Sequence, residues 1–539
     1  MKYLCLILTL SVFVYGQEKP APPPPEKPSS GAHEKAEPRE KARQLLDAAA
    51  KMVTSAQPQV QVAALLHLGE NYNLVDPKKA LECLEQAFAA SADLPSSRFE
   101  DQRGQLQAQI VNRTAEVSLD KALEMLPQLA APPTGQPDRR MEPTERMVRL
   151  LLDKKDFDLA MRVVEAVGSS GEYPFRAARS IFEKLDAEDP RRVEIFGAAT
   201  TAFIGRPNGP FGEFLSRRWQ EAPRPMAESA LRAVINAILD RKEEFLMSTN
   251  ISTAKGTVSF KNRQDRELFE IMHVLRALDP KRADELLETR PQLRSAVERF
   301  PLGTSSMGID QGGDEDEGRG QVMMTFMQGP KLDPQEEAQL QVRALARSRA
   351  AEALSVLKQN PQRALALVRG IPDPATQAEV LGSIARSVSD KDPATAKSVL
   401  DQCIQILDGI KSPMERIEVW DIVAEAAHRA KEDERAWQAI DGGLTDAAAL
   451  YKQDTDAEDP NQALRETWPS THAYRSMVGR AATLFGAEAE PLLAKITDPD
   501  LALLATIEMA QALLGRPSSR GDVSIARTGQ QRQRQNQVR

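Results

Sequence analysis

One phrase recurs along this 539-residue chain: Asp or Asn, then Pro, two variable residues and Ala. It is written DPKKA at 76, DPKRA at 279, NPQRA at 360, DPATA at 392, DPNQA at 459 and DPDLA at 498. Asp or Asn is a favoured N-cap, because its side chain accepts bonds from the first free amides of a helix. Proline at the next position gives up no helical hydrogen bond and presets the backbone angle. Alanine four residues after the cap is small enough to let a neighbouring helix approach closely. Each copy therefore predicts a helix start pressed against the helix before it. Four variants keep the slot with another residue or cap: DPRRV at 189, DPATQ at 373, DKAL at 120 and DERA at 433.

The helices preceding these caps share a pattern of their own. Leu65-x-x-Leu68-Gly69-x-x-Tyr72 leads into Ala80-x-x-x-Leu84-x-x-Ala87. Leu381-x-x-Ile384-Ala385-x-x-Val388 leads into Ala396-x-x-x-Leu400-x-x-Cys403, and Trp420-x-x-Val423-Ala424-x-x-Ala427 into Ala436-x-x-x-Ile440-x-x-Gly443. This resembles the tetratricopeptide repeat, whose paired helices carry large-x-x-Leu-Gly-x-x-Tyr and Ala-x-x-x-Phe-x-x-Ala. The copy at 420–443 keeps that family's spacing, and the other two are one residue shorter. Slot alanines recur after 32 residues (Ala364 to Ala396) and after 40 (Ala396 to Ala436), where regular arrays hold about 34. The resemblance implies an all-α, irregular helical-hairpin solenoid, with binding as its mode of action and no particular partner. A lone hairpin cannot bury its apolar faces, so each leans on the next. The alternative is an irregular helical bundle in which the caps recur by chance.

Composition agrees with helices: aromatics make up 5% and charged residues 27%, and straight-chain residues and Ala lose little entropy in a helix. A net charge of -8 argues against a nucleic-acid binder, which is usually basic. Lys2, the apolar run Leu4–Val14 and Tyr15-Gly16-Gln17 have the order of a signal peptide, residues 1–16. That run is too short to span a bilayer, so the expectation is an extracytoplasmic chain, periplasmic or secreted, without a transmembrane segment. Residues 17–41 are Pro-rich and charged, as a disordered tether is. The helical text then falls into an N-terminal arm, 42–300, and a C-terminal arm, 335–514, separated by 301–334. Thr257-Val-Ser-Phe260 alternates as a strand does, and Val322–Met327 has the same character. The two are expected to pair as a small two-stranded β insertion. Residues 515–539 read as a disordered basic tail. Cys83 and Cys403 sit in apolar helical slots and are expected as buried free thiols.

Two Glu-x-x-His sequences, Glu270–His273 and Glu425–His428, place both side chains on one helical face. Such motifs ligate metal in di-iron bundles, but those sites need two further inward glutamates, and these motifs stand 155 residues apart. No metal site and no cofactor is therefore expected. Aligned on the tetratricopeptide pattern, Glu270, His273, Glu425 and His428 fall on first-helix positions that line the family's concave groove, and His67 and Glu70 fall similarly. The resemblance makes these six the candidate binding surface; a plain solvated helix face is the alternative. The acidic DQGGDEDEG at 310–318 departs from the EF-hand loop. Met323, Met324 and Met327 read as packing residues rather than Cu(I) ligands. The sequence carries no GxSxG elbow, P-loop, HExxH or paired CxxC. The expected function is a non-catalytic scaffold that binds protein or peptide. A glycan-processing hydrolase using groove carboxylates is the alternative.

Overall fold

The computed structural model describes residues 30–94, 102–129, 138–170, 172–207, 210–241, 249–253, 255–307, 322–324, 334–457 and 468–516. The first helices along the chain are α1 (Ser30–Met52), α2 (Pro58–Tyr72), α3 (Pro77–Ser91), α4 (Gln102–Val117) and α5 (Leu119–Met125). Next come α6 (Met141–Asp153), α7 (Phe157–Ser170), α8 (Phe175–Lys184), α9 (Arg191–Gly205), α10 (Phe211–Arg218) and α11 (Arg224–Leu239). After strands β1 (Thr249–Thr253) and β2 (Gly256–Phe260) stand α12 (Arg263–Leu278), α13 (Pro280–Glu288) and α14 (Pro291–Arg299). Strand β3 (Val322–Met324) precedes α15 (Pro334–Leu357), α16 (Pro361–Val368), α17 (Pro374–Val388) and α18 (Pro393–Leu407). The described helices end with α19 (Pro413–Arg429), α20 (Asp433–Ala457), α21 (Pro469–Phe485) and α22 (Pro499–Leu513). Helix α1 reaches back over Pro38 to Ser30, into the stretch read as a tether.

The recurring caps form as their chemistry requires. Asp76, Asp279, Asn360 and Asp392 each accept from the backbone N–H three residues on, at 3.0–3.2 Å. The slot residues Ala80, Ala283, Ala364 and Ala396 are 0% exposed. Ala122 and Ala436 are buried in the variant copies, although the cap of the former is Ser118. DPNQA at 459 lies outside the described residues. Asp498 caps α22, yet Ala502 is only half-buried. At DPRRV the slot reading fails. Val193 is exposed and the inward position falls to Arg192, whose guanidinium lies 4.2 Å from the Phe182 ring centroid.

The helices pack in neighbouring pairs as an all-α, helical-repeat-like array. The first helix of each pair stacks on the first helix of the next, in the order α15, α17, α19, α21, α22, α2, α4, α6, α8, α10, α12. Their partners are α16, α18, α20, a 3-10 segment (Gly486–Lys495), α1, α3, α5, α7, α9, α11 and α13. The pair formed by α22 and α1 thus joins the two ends of the helical text. Spatial order starts at α15, runs through the C-terminal helices, crosses to α1 and finishes at α14. This explains Ala502: DPDLA opens a first helix, not a second one, so its alanine does not face the preceding partner.

One hydrophobic core unites residues 42–110 with 346–512, and a second spans 111–307. The division falls within α4, inside the segment 42–300. Cys83 and Cys403 are buried, free thiols of the first core.

The β insertion has three strands, in the order β2-β1-β3. Residues 256–260 form the expected strand, but it does not pair with β3. Both pair antiparallel with β1, with Ile251 opposite Val258 on one side and Val322 on the other. The two-stranded ribbon is corrected to this arrangement. Thr-Asn-Ile-Ser-Thr contains one apolar residue, so β1 shows no alternation in the sequence; it ends at Thr253, and only two residues separate it from the start of β2 at Gly256, which makes the two natural hairpin partners. Ile251, Val258 and Phe260 are buried, and β2 packs on α12 and α14.

Ala396→Leu is expected to cost about 1–3 kcal/mol through overpacking. Ala502→Leu, outside any slot, is expected to stay within about 0.5 kcal/mol. Denaturant melts of the two variants check this, and equal losses would contradict the assignment of α22 as a first helix.

Candidate functional site

All six candidate residues stand on first helices of the stacked row: His67 and Glu70 on α2, Glu270 and His273 on α12, Glu425 and His428 on α19. They do not converge. In stacking order α21 and α22 separate α19 from α2, and four first helices separate α2 from α12. The row holds three local clusters, each tied to the adjacent first helix or to a neighbouring turn.

On α2 the helical spacing of three brings His67 Nδ1 to 3.2 Å from Glu70 Oε2. Arg113 Nε of α4 donates to Glu70 Oε1 at 2.5 Å, and its Nη1 to Glu116 Oε1 at 3.0 Å. Arg146 of α6 donates to the same Glu116 oxygen. A chain of alternating charges therefore crosses three consecutive first helices. Burial alone pushes the Glu70 carboxyl up, but the hydrogen bond and charge of His67, and then Arg113, outweigh it and bring it down to about 2. On the C-terminal side of α2, Arg516 Nη1 donates to Glu70 O at 3.2 Å.

On α19, Glu425 is 9% exposed and faces three arginines. Arg386 of α17 lies at 3.3 Å, Arg429 at 3.0 Å and Arg480 of α21 at 3.4 Å. Arg480 also forks onto Asp421 at 2.6 and 2.8 Å. His428 turns elsewhere: its Nδ1 is 2.8 Å from Asp433, and its ring meets Phe485 edge-on at 5.1 Å.

On α12 the Glu and His serve different neighbours. Glu270 Oε2 accepts from Thr304 Oγ1 at 2.6 Å, holding the turn at Gly303–Met307 against the helix. Gly303 has φ +62°, and a Cβ there would stand 3.0 Å from Phe269 O, so only glycine suits this approach. His273 Nε2 lies 3.0 Å from the carbonyl of Ser216 on α10, and that carbonyl can only accept, so this nitrogen carries the proton. Burial raises the Glu270 carboxyl against the bonds from Thr304. It lowers His273 against its backbone bonds.

Among the described residues no group of three or more His, Cys, Asp or Glu is placed to hold a metal ion. Most of the partners missed from the sequence are arginines: Arg113, Arg386 and Arg480. Arg475 of α21 and Glu508 of α22 form a further pair, Nη2 to Oε2 at 3.0 Å, with side chains 7% and 1% exposed. Arg386, Arg475 and Arg480 all lie on first helices, but which carboxylate each meets depends on stacking, and no local spacing encodes that. No family model matches this chain, and no curated protein matches it.

Because its pKa is depressed, Glu70 contributes stability above its ordinary pKa of 4.5 that is lost as pH falls toward about 2. The expected size is at most about 3 kcal/mol. Between pH 2 and 4.5, the stability of Glu70→Gln should fall less steeply with acid than that of the parent chain. Parallel pH–stability curves would contradict the assigned ion pair.

Proposed function

We propose that the chain is an exported, non-catalytic helical-repeat protein that binds protein or peptide along its row of first helices and scaffolds an extracytoplasmic assembly. The observation that carries this is the unbroken stacking of eleven first helices among the described residues, which offers an extended surface. Solenoids use such surfaces for recognition. A tetratricopeptide-like packing is supported by Gly69, where an added Cβ would stand 2.6 Å from Leu84 Cγ of the paired helix. Export rests on the charge, apolar core and small-residue order of residues 1–17. Among the described residues no helix is long and apolar enough to cross a membrane.

Affinity capture from an envelope extract with the full chain should recover one stoichiometric partner. Calorimetric titration of that partner should weaken at least about fivefold for Arg386→Ala with Arg429→Ala, which is about 1 kcal/mol. It should not change for Arg162→Ala on the second helix α7. A partner indifferent to the first-helix changes would contradict this function. The hydrolase reading draws on Glu145 of α6 and Glu270, whose carboxyls burial raises as a general acid requires. It is favoured if Glu145→Gln or Glu270→Gln abolishes glycan cleavage in zymograms while partner binding persists.

A further inference from the structure

First helices stack on one another all along the row, whereas second helices pack on their partners and little on each other, α9 with α11 excepted. A row closed on one side and open on the other bends toward the closed side, so the second helices lie outside the bend. On that outer side five consecutive gaps are bridged by ion pairs. Arg435 of α20 meets Asp401 of α18 at 2.6 Å, and Lys495 of the 3-10 segment meets Asp441 of α20 at 2.6 Å. Lys41 of α1 meets Glu490 of that segment at 2.6 Å. Lys79 of α3 then meets Asp47 of α1 at 2.6 Å, and Lys121 of α5 meets Glu85 of α3 at 3.8 Å.

The ladder is written into the repeat. Lys79, Lys121 and Arg435 each stand immediately before a slot alanine, Ala80, Ala122 and Ala436. Lys41 stands likewise before Ala42, which is also 0% exposed. The acids Asp47, Glu85, Asp401 and Asp441 stand five residues after Ala42, Ala80, Ala396 and Ala436. The buried alanine fixes the rotation of its helix. The positions just before it and five beyond it are separated by about 600° of turn, or about 240° net, so they leave the helix on different sides. One reaches the second helix before, the other the second helix after. Where the sequence departs from this spacing the rung is missing. Thr395 precedes Ala396 on α18 and Leu159 precedes Ala160 on α7. Among the described residues no ion pair joins α16 to α18 or α5 to α7.

We propose that this ladder is a spring on the outer side of the row, which draws the second helices together and limits the bend of the first-helix surface. Ionic strength then sets that bend. The ten side chains are 20–55% exposed, so salt reaches them. Each pair alone is weak, but little packing between second helices competes with it. A gap that widens by about 1 Å, with the two layers about 10 Å apart, turns one step by about 6°. Five such gaps turn the row by about 30°. The first-helix pairs act on the inner side, where their loss opens the bend instead. Glu70 and Glu425, with side chains 17% and 11% exposed, are screened less than the rungs. The ladder rests on the stacking order and not on what the row binds, so it can stand if the proposed partner binding fails.

The test is small-angle X-ray scattering of the full chain, extrapolated to zero concentration, at about 0.02 M and about 0.5 M sodium chloride. The radius of gyration should fall by about 5% at the higher salt, as a further bend of about 30° implies for a row of this length. The triple variant Glu85→Gln, Asp401→Asn, Asp441→Asn should be smaller than the parent at low salt and lose most of the salt response. Asp47 is left in place because Tyr72 also donates to it, at 2.6 Å. The exchange Asp441→Lys with Lys495→Asp, which reverses a rung without removing it, should keep the parent's radius and its salt response. The termini are the same in all three chains, so differences between them read the ladder. Circular dichroism checks that these exposed substitutions leave the helices intact. The proposal is overturned if the parent's radius is indifferent to salt or grows with it. It is overturned equally if the triple variant follows the parent's salt curve, or if the exchange behaves like the triple variant.

Discussion

The packing of α22 on α1 brings together residues that lie more than 400 positions apart, and the remaining stack relies on it. Leu45 and Leu46 of α1 and Leu501, Leu503 and Leu504 of α22 are each 5% exposed or less, within one core. Burying one such side chain stabilises by about 1.5–3 kcal/mol. The polar ties across the junction are weaker. Lys41 meets Glu490 at 2.6 Å and Gln57 N–H donates to Asp500 at 3.3 Å, but partly exposed pairs contribute at most about 1 kcal/mol. Apolar burial therefore dominates, and the C-terminal helices and α1–α4 form one cooperative core.

The junction also constrains shape. Met324 pairs with Thr249 in the sheet beside α12, and ten residues later α15 begins at Pro334. Ten residues span at most about 35 Å. The eleven first helices, at about 8–10 Å per step, cover some 80–100 Å along the row. The row must curve for its two ends to stand so close. Charge follows the same row: the Arg475–Glu508 pair, both members nearly buried, marks the α21–α22 contact. Buried pairs of this kind contribute more to the choice of neighbour than to net stability.

How much of this was legible in the sequence depends on the distance over which each feature is encoded. A cap is decided within five residues, so Asp76, Asp279, Asn360 and Asp392 were read correctly, together with their buried alanines. The same phrase misled at 498, because a first helix and a second helix can open with identical caps and bury different faces. The strand at 257–260 showed in its alternation, while β1 is recognisable only through its turn and its two partners. His67 and Glu70 meet because they lie three apart on one helix. Arg113 is 43 residues beyond Glu70 and Arg480 is 55 beyond Glu425, so those contacts arise only once the helices stack. The closure of α22 on α1 left no local sign at all.

That closure is tested most directly by amide hydrogen exchange on Leu46→Asp, which puts a charge at a fully buried position of α1. The expected result is faster exchange across α21 and α22 as well as α1–α3, because a single core holds them together. Loss of protection confined to residues 42–94, with α22 unchanged, would show that the two ends of the chain do not share a core.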